Sequence, residues 1–199
     1  MEEKIREMND WLLEEYGEPD EPDDISGVDY VIETILSQNT NDVNRDKAFQ
    51  NLKERYGSDY AAIENADLEE LTETIRIAGL GPTKAERIQG ALETIRGKSG
   101  DYSIEFLADM DVDEAKEWLT DIPGIGPKTA AVILCFHFGM PVFPVDTHVH
   151  RLAKRYNLVP ENASREKTHE ILEEKVPDDI KYEFHRLLIE HGRAECTAR

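Results

Sequence analysis

The chain has 199 residues, 39% hydrophobic and 33% charged, enough for one domain or two small ones with a real core. Forty-three acidic residues against 23 basic ones give a formal charge of −20, and no run approaches the ~20 apolar residues of a membrane span. Two cysteines, Cys135 and Cys196, exclude a disulfide scaffold, so a reducing cytoplasm is the default expectation; no membrane partner is expected, and a monomer is the default where the sequence does not show an oligomeric state.

Helical periodicity recurs along the chain and strand alternation barely appears, which predicts an all-α fold of roughly ten helices. Residues 2–16 set Ile5, Met8, Trp11, Leu12 and Tyr16 at spacings of three and four. This stretch is acidic and amphipathic, unlike a secretory signal or a transit peptide. The Pro- and acid-rich run at 17–24 then breaks the helix, and residues 1–24 carry a net −9. Tyr30, Val31, Thr34, Ile35 and Leu36 open a more buried helix that stops near Ser37-Gln38-Asn39-Thr40-Asn41. Asn41 or Asp42 caps a helix running through Ala48 and Leu52 to Gly57, and Asp67 caps one carrying Leu68, Leu71 and Ile75. After the turn Ala78-Gly79-Leu80-Gly81-Pro82, Thr83 begins a helix through Ala85, Ile88 and Leu92. Asp113 is the expected cap of a helix holding Ala115, Trp118 and Leu119, in a segment (101–121) of net −7. The last two helices are placed at Ser164 to Glu174 and Ile180 to His191.

The local charge reverses between Thr120 and Pro160, where Lys128, Arg151, Lys154 and Arg155 outweigh Asp121 and Asp146. A phosphate-binding partner needs that kind of local positive potential, whatever the total. The acidic remainder suits either a salt-rich cytoplasm or an ordinary solvated surface, and 11 lysines against 12 arginines do not decide between them. Within the basic segment lies Pro123-Gly124-Ile125-Gly126-Pro127-Lys128-Thr129. Two glycines two apart permit a tight turn with unobstructed amides, and Pro127 suits a first helical turn. Such amides at a helix start can hold a phosphate, giving a helix–hairpin–helix; a ligand-free Gly-rich turn is the plainer alternative. A similar phrase, Ile77-Ala78-Gly79-Leu80-Gly81-Pro82-Thr83-Lys84, occurs earlier. Eighteen residues beyond Lys128, Asp146 stands at the mouth of a helix beginning Thr147-His148-Val149-His150-Arg151, where it is either an N-cap or a catalytic acid. A lysine amine can form a Schiff base with a sugar carbon, and a neighbouring carboxylate can move the proton.

The phrases Ile122–Ala130 and Val145-Asp146-Thr147-His148 resemble the helix–hairpin–helix, Gly/Pro…Asp DNA glycosylase superfamily, the endonuclease III family above all. Supporting phrases are Ile35–Asp42, Ala78-Gly79-Leu80 and His191-Gly192-Arg193-Ala194-Glu195-Cys196, so the resemblance spans about residues 28–199 in the family's order. It implies a two-lobed helical glycosylase fold. A central domain is expected at about 25–140, and a second, cluster-type lobe from 1–24 plus 141–199.

The resemblance further implies base-excision repair on double-stranded DNA carrying a damaged base or an abasic site. Lys128 is then the Schiff-base nucleophile of a bifunctional glycosylase and AP lyase, and Asp146 assists base loss. The damaged base is expected to be an oxidised pyrimidine. The alternatives are another damaged or mismatched base, with Glu33 as a candidate acid, or a non-catalytic DNA-binding module. Gln38 or Asn39, with Leu80 as a wedge, is expected to fill the gap left by an extruded nucleotide. Gly124, Ile125 and Gly126 would offer amides to a phosphate, with Thr129, His148 and Arg151 as further DNA contacts, and the hairpin carbonyls would hold a monovalent cation. The family's [4Fe–4S] cluster needs four cysteines, and Cys196 occupies only the first such position. A chain truncated inside the cluster loop is the favoured expectation and a cluster-free variant the alternative; the cluster is not expected to assemble in the chain as it stands. The expected location is cytoplasmic, at the nucleoid if the source is prokaryotic.

Overall fold

The computed structural model describes residues 1–20 and 25–196. The chain is all-α: among the described residues there are eleven α-helices, three short 3-10 helices and no strand. Of the Pro-rich break expected at 17–24, residues 17–20 follow the end of α1 at Tyr16, and 21–24 lie outside the described residues. Helix α1 is Glu2–Tyr16, α2 Gly27–Ser37, α3 Asp42–Tyr56, α4 Tyr60–Glu64 and α5 Leu68–Thr74. A 3-10 turn, Arg76–Ala78, leads into α6, Gly81–Ser99, and α7 is Val112–Thr120. Then come α8 (Pro127–Phe136), α9 (Thr147–Arg155), α10 (Arg165–Lys175) and α11 (Lys181–Ala194).

The caps explain most of these boundaries. Side chains of Ser26, Asn41, Asp67, Asp146 and Ser164 each accept an N–H from the first turn they precede. The cap of α7 is Asp111, not Asp113: Asp111 accepts the amide of Asp113, which lies within the first turn. In Asp111-Val112-Asp113-Glu114 the earlier acid also has Glu114 three residues on, the capping-box spacing. Gly57 and Gly100, both at positive φ, end α3 and α6. Helix α4 carries a single buried side chain, Ile63, too little for a periodic signal.

The chain packs as two compact units, Asp24–Ile133 and Met1–Asp23 with Leu134–Arg199. The division falls inside α8, earlier than the boundary read from the sequence. In the Asp24–Ile133 unit α6 is the hub, packed against α2, α4 and α5, while α3 lies on α2. Its buried stripe of Lys84, Ala85, Ile88, Ala91, Leu92 and Ile95 follows helical spacing. The second unit joins α1 and α9 to α11, with α10 against α9. Its core includes Ile5, Leu12, Phe143, Leu152, Leu172, Phe184 and Leu188.

Candidate functional site

The hairpin between α7 and α8 is anchored by two isoleucines. Ile122 and Ile125 are both buried, and the Ile125 amide donates to Ile122 O at 3.0 Å, closing the turn. Burying such a side chain is worth about 1.5–3 kcal/mol, so the turn is held from beneath. Of its two glycines only Gly124 has a positive φ, +85°, and a side chain there would also collide with Arg87. Gly126 does not need an unusual φ, and a side chain there would meet nothing within 4 Å. Of the three amides expected to face a phosphate, that of Ile125 is already committed to Ile122 O, so it is not an open donor. Pro127 opens α8, with Lys128 exposed and Thr129 half-buried in the first turn.

The earlier Gly-x-Gly-Pro phrase folds into the same kind of turn with the opposite polarity. Gly79 has φ +68°, and the next residue, Leu80, is 59% exposed where its counterpart Ile125 is buried. Leu80 sits in the left-handed region at φ +52° as the N-cap of α6, an uncommon conformation for a leucine. The lysines are reversed as well. Lys84 is only 1% exposed, and it stands one position further from Pro82 than Lys128 does from Pro127. One residue turns a side chain by about 100° around a helix, which carries the lysine from the outer face to the inner one. Burial pulls the Lys84 ammonium below the usual lysine range, with Arg87 adding to the effect.

Gln38 and Asn39, which the sequence leaves as alternatives, have different surroundings. The Gln38 carboxamide is engaged at both ends, donating to Gly124 O at 2.9 Å and accepting from Arg87 Nη1 at 2.5 Å. Asn39 is exposed at φ +54°, just past the end of α2. Lys84 and Arg87 are the residues that reading the sequence missed. The available signal was that Lys84 falls on the apolar stripe of α6, where a lysine has to be paired.

In the other unit Asp146 is half-buried and caps α9, Oδ1 accepting the Val149 amide at 2.7 Å. That bond occupies one of its two oxygens. His148 Nδ1 accepts from Arg151 Nη2 at 3.1 Å, which places the neutral ring's proton on Nε2. The remaining guanidinium bonds of Arg151 go to Gly192 O in the last turn of α11 and to Cys196 O just beyond it. Arg151 is therefore turned into the protein rather than presented as the outward phosphate contact the sequence suggested. Gly192 is required there: a Cβ would come within 2.8 Å of His148 Nδ1. His191 is wedged between two phenols, Tyr16 Oη at 2.8 Å and Tyr156 Oη at 2.6 Å, and burial lowers its pKa. Glu33, the candidate acid on α2, interacts electrostatically with Arg45.

The described residues do not make an iron–sulfur site. Cys196 Sγ accepts from Arg155 at 2.7 Å, while Cys135 is buried in α8, its thiol pushed up to about 12 by desolvation. Both cysteines are free, and no group of three or more His, Cys, Asp or Glu among the described residues is placed to hold a metal ion. At the hairpin, Ile122 O and Gly124 O each already accept one hydrogen bond, which leaves part of their capacity for a cation.

An all-α chain with an anchored Gly-x-Gly-Pro-Lys hairpin and an aspartate opening the next long helix is a helix–hairpin–helix protein of the Gly/Pro…Asp kind. The chain belongs to the HhH-GPD superfamily of base excision DNA repair proteins, whose family profile matches residues 32–178. It is 36% identical over 173 residues to a candidate DNA glycosylase of Arabidopsis thaliana, covering 87% of this chain but only 59% of the plant protein. It is 33% identical to Endonuclease III of Sulfolobus acidocaldarius over 85% of this chain and 74% of that one. A solved non-covalent Endonuclease III–DNA complex matches the whole chain and 89% of its own with a TM-score of 0.85 at 28% identity. Among the described residues no helix is long and apolar enough to cross a membrane.

Proposed function

We propose that the protein is a bifunctional DNA glycosylase and abasic-site lyase acting on damaged bases in duplex DNA, oxidised pyrimidines first among them. The observation that carries this reading is Lys128, exposed in the first turn of α8 at the mouth of the hairpin, where the Gly126 amide and the unpaired amides of that first turn are the donors offered to a phosphate. A phosphate held by those amides brings the adjoining sugar to the lysine. The Lys128 amine donates its lone pair to C1′, and the C1′–N bond breaks with its electrons leaving on the base. Opening of the sugar ring gives a protonated Schiff base. Loss of a proton from C2′ then expels the 3′ phosphate with the C3′–O electrons, and water releases the lysine. Asp146 moves protons in these steps and stabilises positive charge on the sugar. Asn39 and Leu80 fill the space of the extruded nucleotide, with Gln38 serving to hold the turn behind them.

The N-cap bond of Asp146 is the observation that favours a non-catalytic DNA-binding module instead. Strand cleavage of an abasic duplex separates the two readings. Lys128→Gln is expected to fall to background. Asp146→Asn retains a good N-cap, so its thermal stability is expected to hold while cleavage drops ~10²–10⁴-fold, the range for a lost acid–base group. Unchanged cleavage in Asp146→Asn would reduce that residue to its cap.

A further inference from the structure

We propose that Lys84 is a positioning residue that locks the Asn39 turn and the Leu80 turn into one rigid gap-filling element. The inference deepens the glycosylase reading and rests on its assignment of those two turns to the displaced nucleotide. Lys84 Nζ donates to Leu36 O at 2.6 Å, to Thr40 Oγ1 at 2.6 Å and to Ala78 O at 2.8 Å. The Thr40 hydroxyl in turn donates to Ala78 O. Three ammonium protons thus meet three acceptors, which is what allows a charge to be buried here.

Two of those acceptors are carbonyls at helix ends. Leu36 O lies in the last turn of α2 and Ala78 O ends the 3-10 turn, where carbonyls lack intrahelical partners and the dipole is negative. One cation therefore caps two chain segments that are some forty residues apart in sequence. Asn39 lies one residue before the Thr40 contact, and Leu80 two residues after the Ala78 contact. Leu80 is in a left-handed conformation that an L-residue avoids by about 1–2 kcal/mol, so its surroundings must hold it. One turn further along α6, Arg87 grips Gln38 and lies over Gly124, tying the same loop to the hairpin. An apolar residue at position 84 would fill the volume but leave both carbonyls without this partner.

The test uses a duplex bearing a tetrahydrofuran abasic analogue opposite 2-aminopurine, whose fluorescence reports unstacking when side chains enter the gap. The wild-type chain is expected to raise the fluorescence. Lys84→Met is expected to lose most of that rise, and Thr40→Val part of it, with circular dichroism showing folded proteins; should Lys84→Met fail to fold, Thr40→Val carries the test. A mutant cycle with Leu80→Ala distinguishes positioning from general destabilisation. If Lys84 acts through Leu80, adding Lys84→Met to Leu80→Ala changes the signal and the affinity by less than about twofold. Full, independent effects of the two substitutions would overturn the proposal, as would a wild-type chain that binds without any fluorescence change. A normal fluorescence rise without Lys128-dependent cleavage would instead count against the lyase reading and leave this one standing.

Discussion

Two lysines in nearly the same phrase illustrate how a single position decides a residue's use. Lys128 follows Pro127 directly and is exposed; Lys84 stands one residue further from Pro82 and is buried. The neighbouring Leu80 combines exposure with a left-handed backbone, a combination that the fold gains nothing from. Replacing it with glycine relieves ~1–2 kcal/mol of strain against ~0.4–1 kcal/mol of added unfolded-state entropy. Leu80→Gly is therefore expected to melt at the same temperature or slightly higher, while cleavage of an abasic duplex falls and cleavage of the same site in single-stranded DNA does not. A large loss of thermal stability would show that Leu80 is a packing residue. The sequence alone presented Lys128 and Asp146 as candidates through the hairpin and the spacing beyond it, while Leu80 came forward through the family resemblance. It left Gln38 and Asn39 open because neighbouring amides differ only in the bonds that the fold supplies.

At the scale of elements, α11 owes its last turns to α1 and α9. His191 lies between the phenols of Tyr16 and Tyr156 and meets Trp11 edge to face, and Arg151 caps the carbonyls beyond it. Burial holds the His191 pKa below the ordinary histidine value, so the unfolded chain takes up a proton at a higher pH than the folded one. Stability is accordingly unaffected well above pH ~6.5 and is lost progressively as the pH falls through that value toward the lowered folded pKa. Melting curves from pH 8 to 5 are expected to show this decline, and His191→Gln to flatten it. A His191→Gln profile as steep as the wild type would assign the decline to other groups. Helix existence was legible from periodicity and caps, as with α1, α3 and α9, because these helices repeat apolar residues on one face. The cap of α7 was misassigned between two aspartates two residues apart, since either is a competent N-cap until the helix start is fixed.

For the whole molecule, the formal charge of −20 conceals a basic segment around the hairpin and α9, and the family profile, which matches residues 32–178, includes that segment. The all-α class was legible throughout. The division of the chain was less so, because it falls within the continuous apolar helix α8, where composition does not change. Cluster chemistry is absent from the proposed reaction: Lys128 and Asp146 need no metal for Schiff-base formation and proton transfer. Borohydride reduction during incubation with an abasic duplex tests the central claim most directly, since it converts the transient imine into a permanent amine. The wild-type chain is expected to form a covalent protein–DNA adduct stable to denaturing gels, and Lys128→Gln to form none. An adduct that persists in Lys128→Gln, or a folded wild-type chain that binds the abasic duplex and is never trapped, would contradict the assignment of Lys128 as the nucleophile.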